Sequence, residues 1–516
     1  MRFEFKRLMA FILVLTVSVV VTGCSTVTKP NEDDYPDGDE VERIINLQMR
    51  EADTLDPLMT TRQSVRDGLL TVYEPLFNVT ETFDVENVLA ETYAFNQSAT
   101  VMTLKIKQGV LWHNNNVFTA DDVVYTINRI KENKESSYYL NLETVDRVEK
   151  INDYEVVFYL NKPNAFLVYS LYFPIVHVSA GDAVIGTGAY MFEKTDGKSL
   201  TLKKNSAWHL GEVNADGVKF LYMRTSAMAQ EAFSSGKIHA VTKDMLDIEN
   251  FAIKESQKTY TYPDGIFEFI GFNANKGIFA DPLLRIATSN AIDRSAIANV
   301  FGSAIGAGFP IMIGSSLFSP SYETASYSLD YAKEIIFSAG WSDSDYDLRP
   351  EKVIDGKTEE LEFTLLVADR DAQRQLAAKE VEKQLELAGF SVKLEVVDIA
   401  TYNEKIAGGE YDAFLGAVYC DAPYDISDLL SSTGYVNYQG YDSVDMDLAL
   451  SRLSGAVDRE AAAKAFSEVQ ALYIAHQPIA GLCFKTSYVV TSNVIGGEVK
   501  PYPFSPYANI ALWSIE

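Results

Sequence analysis

The alternation of apolar and polar positions divides this chain into regular segments. From Leu361 it runs LEFTLLV, which reads as a strand, and then DRDAQRQLAAKEVEKQLELAGF. In the second stretch Leu376, Val381 and Leu385 fall on one helical face and Lys379 and Glu380 on another, while Gly389 stands where a left-handed C-cap is wanted. SVKLEVV follows as a further strand. Strand, helix and strand in this order predict a βαβ unit, and therefore a parallel sheet. Asp281-Pro282 predicts a second helix start, with a capping carboxylate and proline in the first turn, continuing through Leu284, Ala287 and Ala291 toward Ile292. A third helix begins at Asp458 and carries Ala462, Phe466, Val469 and Tyr473 at helical spacing. Pro478 stops it and IAGLCF resumes as a strand. Residues 272–484 thus read as an α/β lobe. The N-terminal part is richer in strands: ERIINLQM, TLKIKQGV, YEVVFYL and SLTLKKN, with turns near Gly109 and Gly197.

The first residues break this pattern. Arg2, Lys6 and Arg7 precede an apolar run from Leu8 to Val21, too short to span a bilayer as a helix, and Val21-Thr22-Gly23-Cys24 follows. This predicts an export signal over 1–23. Val-Thr-Gly-Cys resembles the bacterial lipobox, which implies acylation of Cys24; the alternative is an ordinary secretory peptide cut elsewhere. Residues 24–40 form an acidic, Pro- and Gly-containing stretch with little to bury, expected to be a solvated tether. Folded structure is expected from about Val41.

Composition narrows the function. A 47% apolar share over 516 residues supports large cores and more than one domain. The formal net charge of −28 opposes binding to nucleic-acid phosphates and favours a soluble monomer. Besides Cys24 there are only Cys420 and Cys483, too few for a disulfide framework, and they are expected as thiols although a pair is conceivable.

One stretch, GVLWHNNNVFTADDVV (109–124), looks at first like chemistry. Thr119 before Ala120-Asp121-Asp122, with Val123, Ile127 and Ile130 beyond, instead predicts a capped amphipathic helix in which both acids serve the first turn. His113 has no second ligand at metal spacing, so no metal is expected. Asp343-Ser344-Asp345-Tyr346-Asp347 echoes a calcium loop, but Leu348 replaces the glycine and Ile354 the bidentate acid. No dinucleotide loop, nucleophile constellation or cofactor motif is found, and the chain is not expected to be an enzyme.

The 109–124 stretch also carries a resemblance. The chain resembles the extracellular solute-binding proteins of family 5, the oligopeptide, dipeptide and nickel type that feed ABC importers. Gly109-Val110-Leu111-Trp112-His113 and Phe118-Thr119-Ala120-Asp121-Asp122-Val123 match that family's segment, with Asn114-Asn115 in place of its Asp-Gly. Thr54-Leu55-Asp56-Pro57, Val72-Tyr73-Glu74-Pro75-Leu76, Gly186-Thr187-Gly188-Ala189-Tyr190, Ala291-Ile292-Asp293-Arg294, Ala339-Gly340-Trp341 and Gln477-Pro478 recur in the family's order. The resemblance implies an α/β, two-lobed periplasmic-binding-protein-like fold of type II, cluster C, with an extra subdomain inserted in lobe I. It places lobe I at 41–58, 178–271 and 485–516, the inserted subdomain at 59–177 and lobe II at 272–484, hinged near 271 and 485. It also implies a protein on the outer face of the cytoplasmic membrane, or in the periplasm, that hands its cargo to ABC permease subunits.

The same resemblance suggests contact residues. Asp421 lies where family members hold a peptide ammonium, although it also suits a loop cap; Val418, Tyr419 and Cys420 precede it, with Val418 where tryptophan is usual. Glu51 and Ala52 fall at a lobe I lining position, and Phe272 and Asn273 at the crossing into lobe II; a core phenylalanine and a solvated strand-end acid are the alternatives. Peptide is the expected cargo. A metal chelate, sugar derivative or signalling peptide are alternatives in the same trap, and a lipid-anchored hydrolase or adhesin is the alternative outside it.

Overall fold

The computed structural model describes residues 42–80, 84–245, 252–311, 315, 317, 326–420, 426–502 and 504–516. Cys24, the signal segment, the tether and Asp421 lie outside the described residues.

Two unusually long strands organise the molecule. Lys258–Phe272 and Ile479–Thr491 pair antiparallel from Lys258↔Thr491 to Gly271↔Ile479. They stand at the centre of an eleven-stranded sheet. On one side follow Ala413–Tyr419, Glu362–Ala368 and Ser391–Val397; on the other, Ala240–Thr242, Ile44–Met49, Gly217–Tyr222, Ser199–Lys204 and Tyr190–Thr195; the eleventh strand, Ala304–Gly306, pairs with Ile479–Thr491 outside this order. Each flank contains parallel pairs, Glu362↔Ser391 on the first and Ile44↔Gly217 on the second. Parallel neighbours need crossover connections, so each flank carries its own helices.

The βαβ unit forms as its periodicity predicts. Glu362–Ala368 and Ser391–Val397 pair parallel around the helix Ala372–Ala388, whose start is capped by Asp371 accepting from the Arg374 amide and whose end is the left-handed Gly389. Pro282–Asn290 is capped by Asp281, and Arg459–His476 by Asp458. The second helix ends before the expected Ile292, because Asp293 caps a new helix, Arg294–Val300.

A separate four-stranded sheet, in the order Ala90–Phe95, Val101–Ile106, Glu155–Leu160, Val145–Asn152, lies within residues 59–177. The helix Ala120–Glu132 packs on it through Val123, Ile127 and Ile130.

Buried side chains gather around these sheets in distinct clusters. One joins Ile45, Leu47 and Met49 to the four-stranded sheet and to Trp513; another holds the βαβ unit, with Phe272, Phe363, Val381 and Cys483. A third brings Val79 and Phe166 together with Phe267, Phe466 and Phe504.

The central strand pair is not regular throughout. Register steps from Pro263↔Thr486 to Phe267↔Phe484, four residues on one strand against two on the other, so Asp264, Gly265 and Ile266 bulge out. Gly265 has φ +85°, a conformation that favours glycine. Lys243 Nζ ties the bulge down, 3.1 Å from Asp264 Oδ2.

Candidate functional site

The 109–124 stretch is structural in every polar group that can be traced. Asp122, buried, accepts from the Thr119 amide at 3.0 Å, from Trp112 Nε1 at 3.2 Å and, on its other oxygen, from the Val178 amide at 3.0 Å. His113 accepts on Nδ1 from the Gly186 amide at 3.2 Å, and its Nε2 lies 3.0 Å from the Gly188 carbonyl. That pattern makes Nε2 the protonated nitrogen and leaves none for a metal. Burial lowers the pKa of this ring, consistent with a neutral side chain.

The residues singled out from sequence separate in space. Tyr419 closes the strand Ala413–Tyr419, about half exposed, beside Gly265 of the bulge. Val418 is partly buried against the third cluster, and Cys420 directs Sγ to the Pro310 carbonyl at 3.6 Å. Cys420 and Cys483 form no disulfide among the described residues, and burial pushes the Cys483 thiol up to about 12. Glu51 is exposed, with a carboxylate oxygen 3.7 Å from Arg224, while Ala52 packs against the first cluster. Phe272 is fully buried with its ring 4.6 Å from that of Phe279. Asn273 donates from Nδ2 to the Gly409 and Tyr411 carbonyls at 3.2 and 3.1 Å, stitching the strand end to the next loop.

Of these residues, Tyr419 lines a cavity of about 220 Å³. Its wall otherwise comes from parts of the chain that sequence reasoning did not select: Gln63, Arg66 and Asp67 of the helix Gln63–Leu69, with Leu70; Ser137 and Tyr138; Tyr172; and Phe504. At Gly68 the helix comes close to the sheet: a Cβ there would stand 2.1 Å from Met49 Cε, the flexible end of that side chain, and 3.4 Å from the Phe220 ring. The rings form a continuous wall: Tyr138 and Tyr172 have centroids 6.3 Å apart, and Tyr172 and Phe504 4.5 Å apart.

The charges here are arranged unusually. Arg66 donates to the Thr60 carbonyl at 3.0 Å, to Ser137 Oγ at 3.1 Å and to Gln63 Oε1 at 2.6 Å. Asp67 accepts from Gln63 Nε2 at 2.6 Å. Gln63 therefore stands as a neutral spacer between a cation and an anion, and its amide orientation is dictated by both. Burial pushes the Asp67 carboxyl up to about 8; Gln63 opposes this, the Asp244 charge adds to it, and Arg66 opposes it. The sequence signal was present but quiet: an acid four residues after a glutamine, followed directly by the apolar run GLLTVYEPLF.

A second cavity of about 230 Å³ shares Leu70, Tyr172 and Phe504 with the first. Its buried acid, Glu74, is saturated by Thr187 Oγ1, Trp208 Nε1 and His209 Nε2 at 2.7 to 2.9 Å. Its chemistry is spent internally, so the cavity at Asp67 is the better candidate for a ligand. Elsewhere, Asp343, Asp345 and Glu351 bring oxygens within 4.8 Å of one another, Glu351 supplying the acid that linear spacing lacks at Ile354. Asp343 and Glu351 there accept from the Leu348 and Ser344 amides, the work of a tight turn.

Comparison with known proteins agrees with this architecture. Residues 84–439 match the model of the bacterial extracellular solute-binding proteins, family 5. The oligopeptide-binding protein AppA of Bacillus subtilis is 22% identical, the alignment covering 98% of each chain. The solved structure of that protein with a nonapeptide superposes at a TM-score of 0.59 with 23% identity, over 92% of this chain and 99% of the other. A nickel ABC transporter structure from Bacillus halodurans superposes at 0.79 with 20% identity, over 92% and 100%. These likenesses give the chain a mixed α/β, two-lobed fold. Among the described residues no helix is long and apolar enough to cross a membrane. The chain belongs to the bacterial extracellular solute-binding proteins of family 5, the substrate-binding components of ABC importers.

Proposed function

We propose that this protein captures peptides between two hinged lobes for an ABC permease, held at the outer face of the membrane by a lipid on Cys24. The observation that carries the reading is the composition of the Asp67 cavity. With lobe I at 41–58, 178–271 and 485–516, the inserted subdomain at 59–177 and lobe II at 272–484, its wall draws Phe504, Tyr138 and Tyr419 from all three. A ligand there would touch every moving part, and closure would bury it. The cavity also offers the Arg66 guanidinium and the Asp67 carboxyl beside aromatic surface, which suits a solute with an ammonium, a carboxylate and apolar side chains. The near full-length relative named as oligopeptide-binding supports peptide over other cargo.

In this reading the bulge at Asp264–Ile266 is the flexible point of the central strand pair, close to the expected crossing. Asp421, two residues beyond Tyr419, is the proposed lobe II partner of the peptide ammonium. The VTGC motif and the short apolar run support the lipid anchor; unchanged detergent partitioning of a Cys24→Ser precursor would remove it from the proposal.

The test of cargo is thermal. A ligand bound only by the folded state stabilises it, by about 2.7 kcal/mol at a hundredfold excess over Kd. A pool of random-sequence peptides of three to nine residues is expected to raise the melting temperature of the mature protein. A melting curve unmoved by peptides but raised by nickel chelates or oligosaccharides transfers the trap to that cargo.

A further inference from the structure

We infer that Asp67 is the anchor for a cationic side chain of the captured solute, a lysine ammonium or an arginine guanidinium seated between its carboxylate and the rings of Tyr138, Tyr172 and Tyr419. The inference rests on the peptide-capture reading above. Asp67 is 8% exposed and lines the cavity. One oxygen accepts from Gln63 Nε2; the other accepts no hydrogen bond among the described residues. Its sequence neighbour Arg66 is turned to neutral acceptors, the Thr60 carbonyl, Ser137 Oγ and Gln63 Oε1, and makes no ion pair with it. A buried carboxylate without a counter-ion is costly, and chains ordinarily supply one. Here the chain instead uses an amide to keep its own cation away, which leaves the position for a partner from outside.

The surroundings favour that partner. Ring faces carry negative potential and attract cations, most strongly where water is displaced. Tyr138 and Tyr172 stand nearly perpendicular, at 80°, in the same cavity wall as Asp67, which sets aromatic surface around the carboxyl. Asp244 lies near enough to add to the negative field at Asp67, and Arg66 to oppose it; Tyr138, Tyr262 and Tyr507 complete the titratable groups that sense it. The net charge of −28 steers cations to the protein as a whole. Burial holds the Asp67 carboxyl protonated to about pH 8, so a cation that binds it at neutral pH must expel that proton.

Two peptide pools decide the matter, one with free amino termini and one acetylated, each offered to the mature protein and to Asp67→Asn, with retained peptides identified by mass spectrometry. Wild type is expected to enrich Lys- and Arg-containing peptides about tenfold in each pool, the scale of one charged hydrogen bond, and Asp67→Asn to retain peptides without that preference. Enrichment of Lys or Arg in both pools supports the inference; retention of the free pool over the acetylated one with no enrichment of Lys or Arg reports only the amino terminus, proposed above for Asp421, and overturns it. The most enriched peptide, titrated calorimetrically at pH 7 in buffers of different ionisation enthalpy, is expected to release about one proton from wild type. Peptides retained with no cation preference, or a preference that persists in Asp67→Asn, overturn the inference while leaving peptide capture standing. Retention of no peptide from either pool overturns both. The wild-type selection needs no variant, so a poorly folding Asp67→Asn does not blunt it.

Discussion

Glu268 and Asp67 each place a carboxylate where water has little access, 0% and 8% exposed, yet one is met by two cations and the other by a single amide. Arg374 grips Glu268 with Nε at 2.9 Å and a terminal nitrogen at 2.8 Å, and Lys485 Nζ stands 3.3 Å from the same carboxylate. Lys485 also reaches Asp371, the cap of the helix that carries Arg374. The network thus ties the start of the βαβ helix to both long central strands. Glu74 shows the same saturation with neutral donors and a histidine. A carboxylate that holds the fold together receives its partners from the fold. Asp67 does not, and that difference is what marks it for a ligand.

The largest effect is expected at Glu268. Arg374→Met leaves a buried carboxylate with one lysine that is shared, and should cost about 3–5 kcal/mol in urea unfolding. Adding Glu268→Gln to the same chain removes the stranded charge and should recover much of the loss. A single variant that unfolds at the wild-type midpoint would show that the network contributes nothing, and Glu268 would no longer serve as the paired reference.

Asp67→Asn should act in the opposite direction, and only in part of the pH range. The carboxyl is pushed up to about 8 in the folded protein by burial, against the ordinary 3.8 in the unfolded chain. Between these values the unfolded chain releases a proton that the folded chain keeps. The stability contributed by Asp67 is therefore complete below about pH 4 and is lost as pH rises through 8. In peptide-free protein, the melting temperature of wild type should fall relative to Asp67→Asn between pH 5 and 8.5. Taking the difference between the two proteins cancels the general repulsion of a strongly acidic chain. Parallel melting profiles would mean that Asp67 is not desolvated, and the contrast with Glu268 would vanish.

What was legible in the sequence follows the range of the forces involved. The βαβ unit, the Asp458 helix and the Thr119–Asp122 cap depend on neighbours within a turn or two, and each formed where its periodicity and capping residues indicated. The family marks gave the fold class because they recur in order, even where each is weak. Pro263-Asp264-Gly265 reads locally as a turn, yet it sits inside a fifteen-residue strand. Its partner, Ile479–Thr491, is more than two hundred residues away, and no local signal reports that pairing. The site was harder for the same reason. Gln63, Arg66 and Asp67 look like the polar face of a surface helix until Tyr138, Tyr172 and Phe504 arrive from distant segments to roof them. Phe272 and Asn273 illustrate the reverse: they stand at the end of the strand Lys258–Phe272, and their side chains are engaged with Phe279 and with the carbonyls of Gly409 and Tyr411.

The smallest effect is expected at Gly265, which touches neither carboxylate. Its φ of +85° is unfavourable for any residue with a Cβ, and a Cβ built there would lie 2.9 Å from the Tyr419 ring. Gly265→Ala should therefore cost about 1–2 kcal/mol from backbone conformation alone, and the Tyr419 ring must give way as well. The Glu268 network is on the far side of the bulge along the same strand and keeps its partners, so urea unfolding should remain cooperative with a slightly lower midpoint. Tyr419 is part of the Asp67 wall, so peptide retention should weaken by more than the loss of stability explains. Tyr419→Ala in the Gly265→Ala background separates the two contributions: with the ring gone, the clash disappears and only the backbone cost remains. If Gly265→Ala melts and binds as wild type does, the bulge tolerates an ordinary residue. Tyr419 would then hold its place over Asp67 without help from the glycine beneath it.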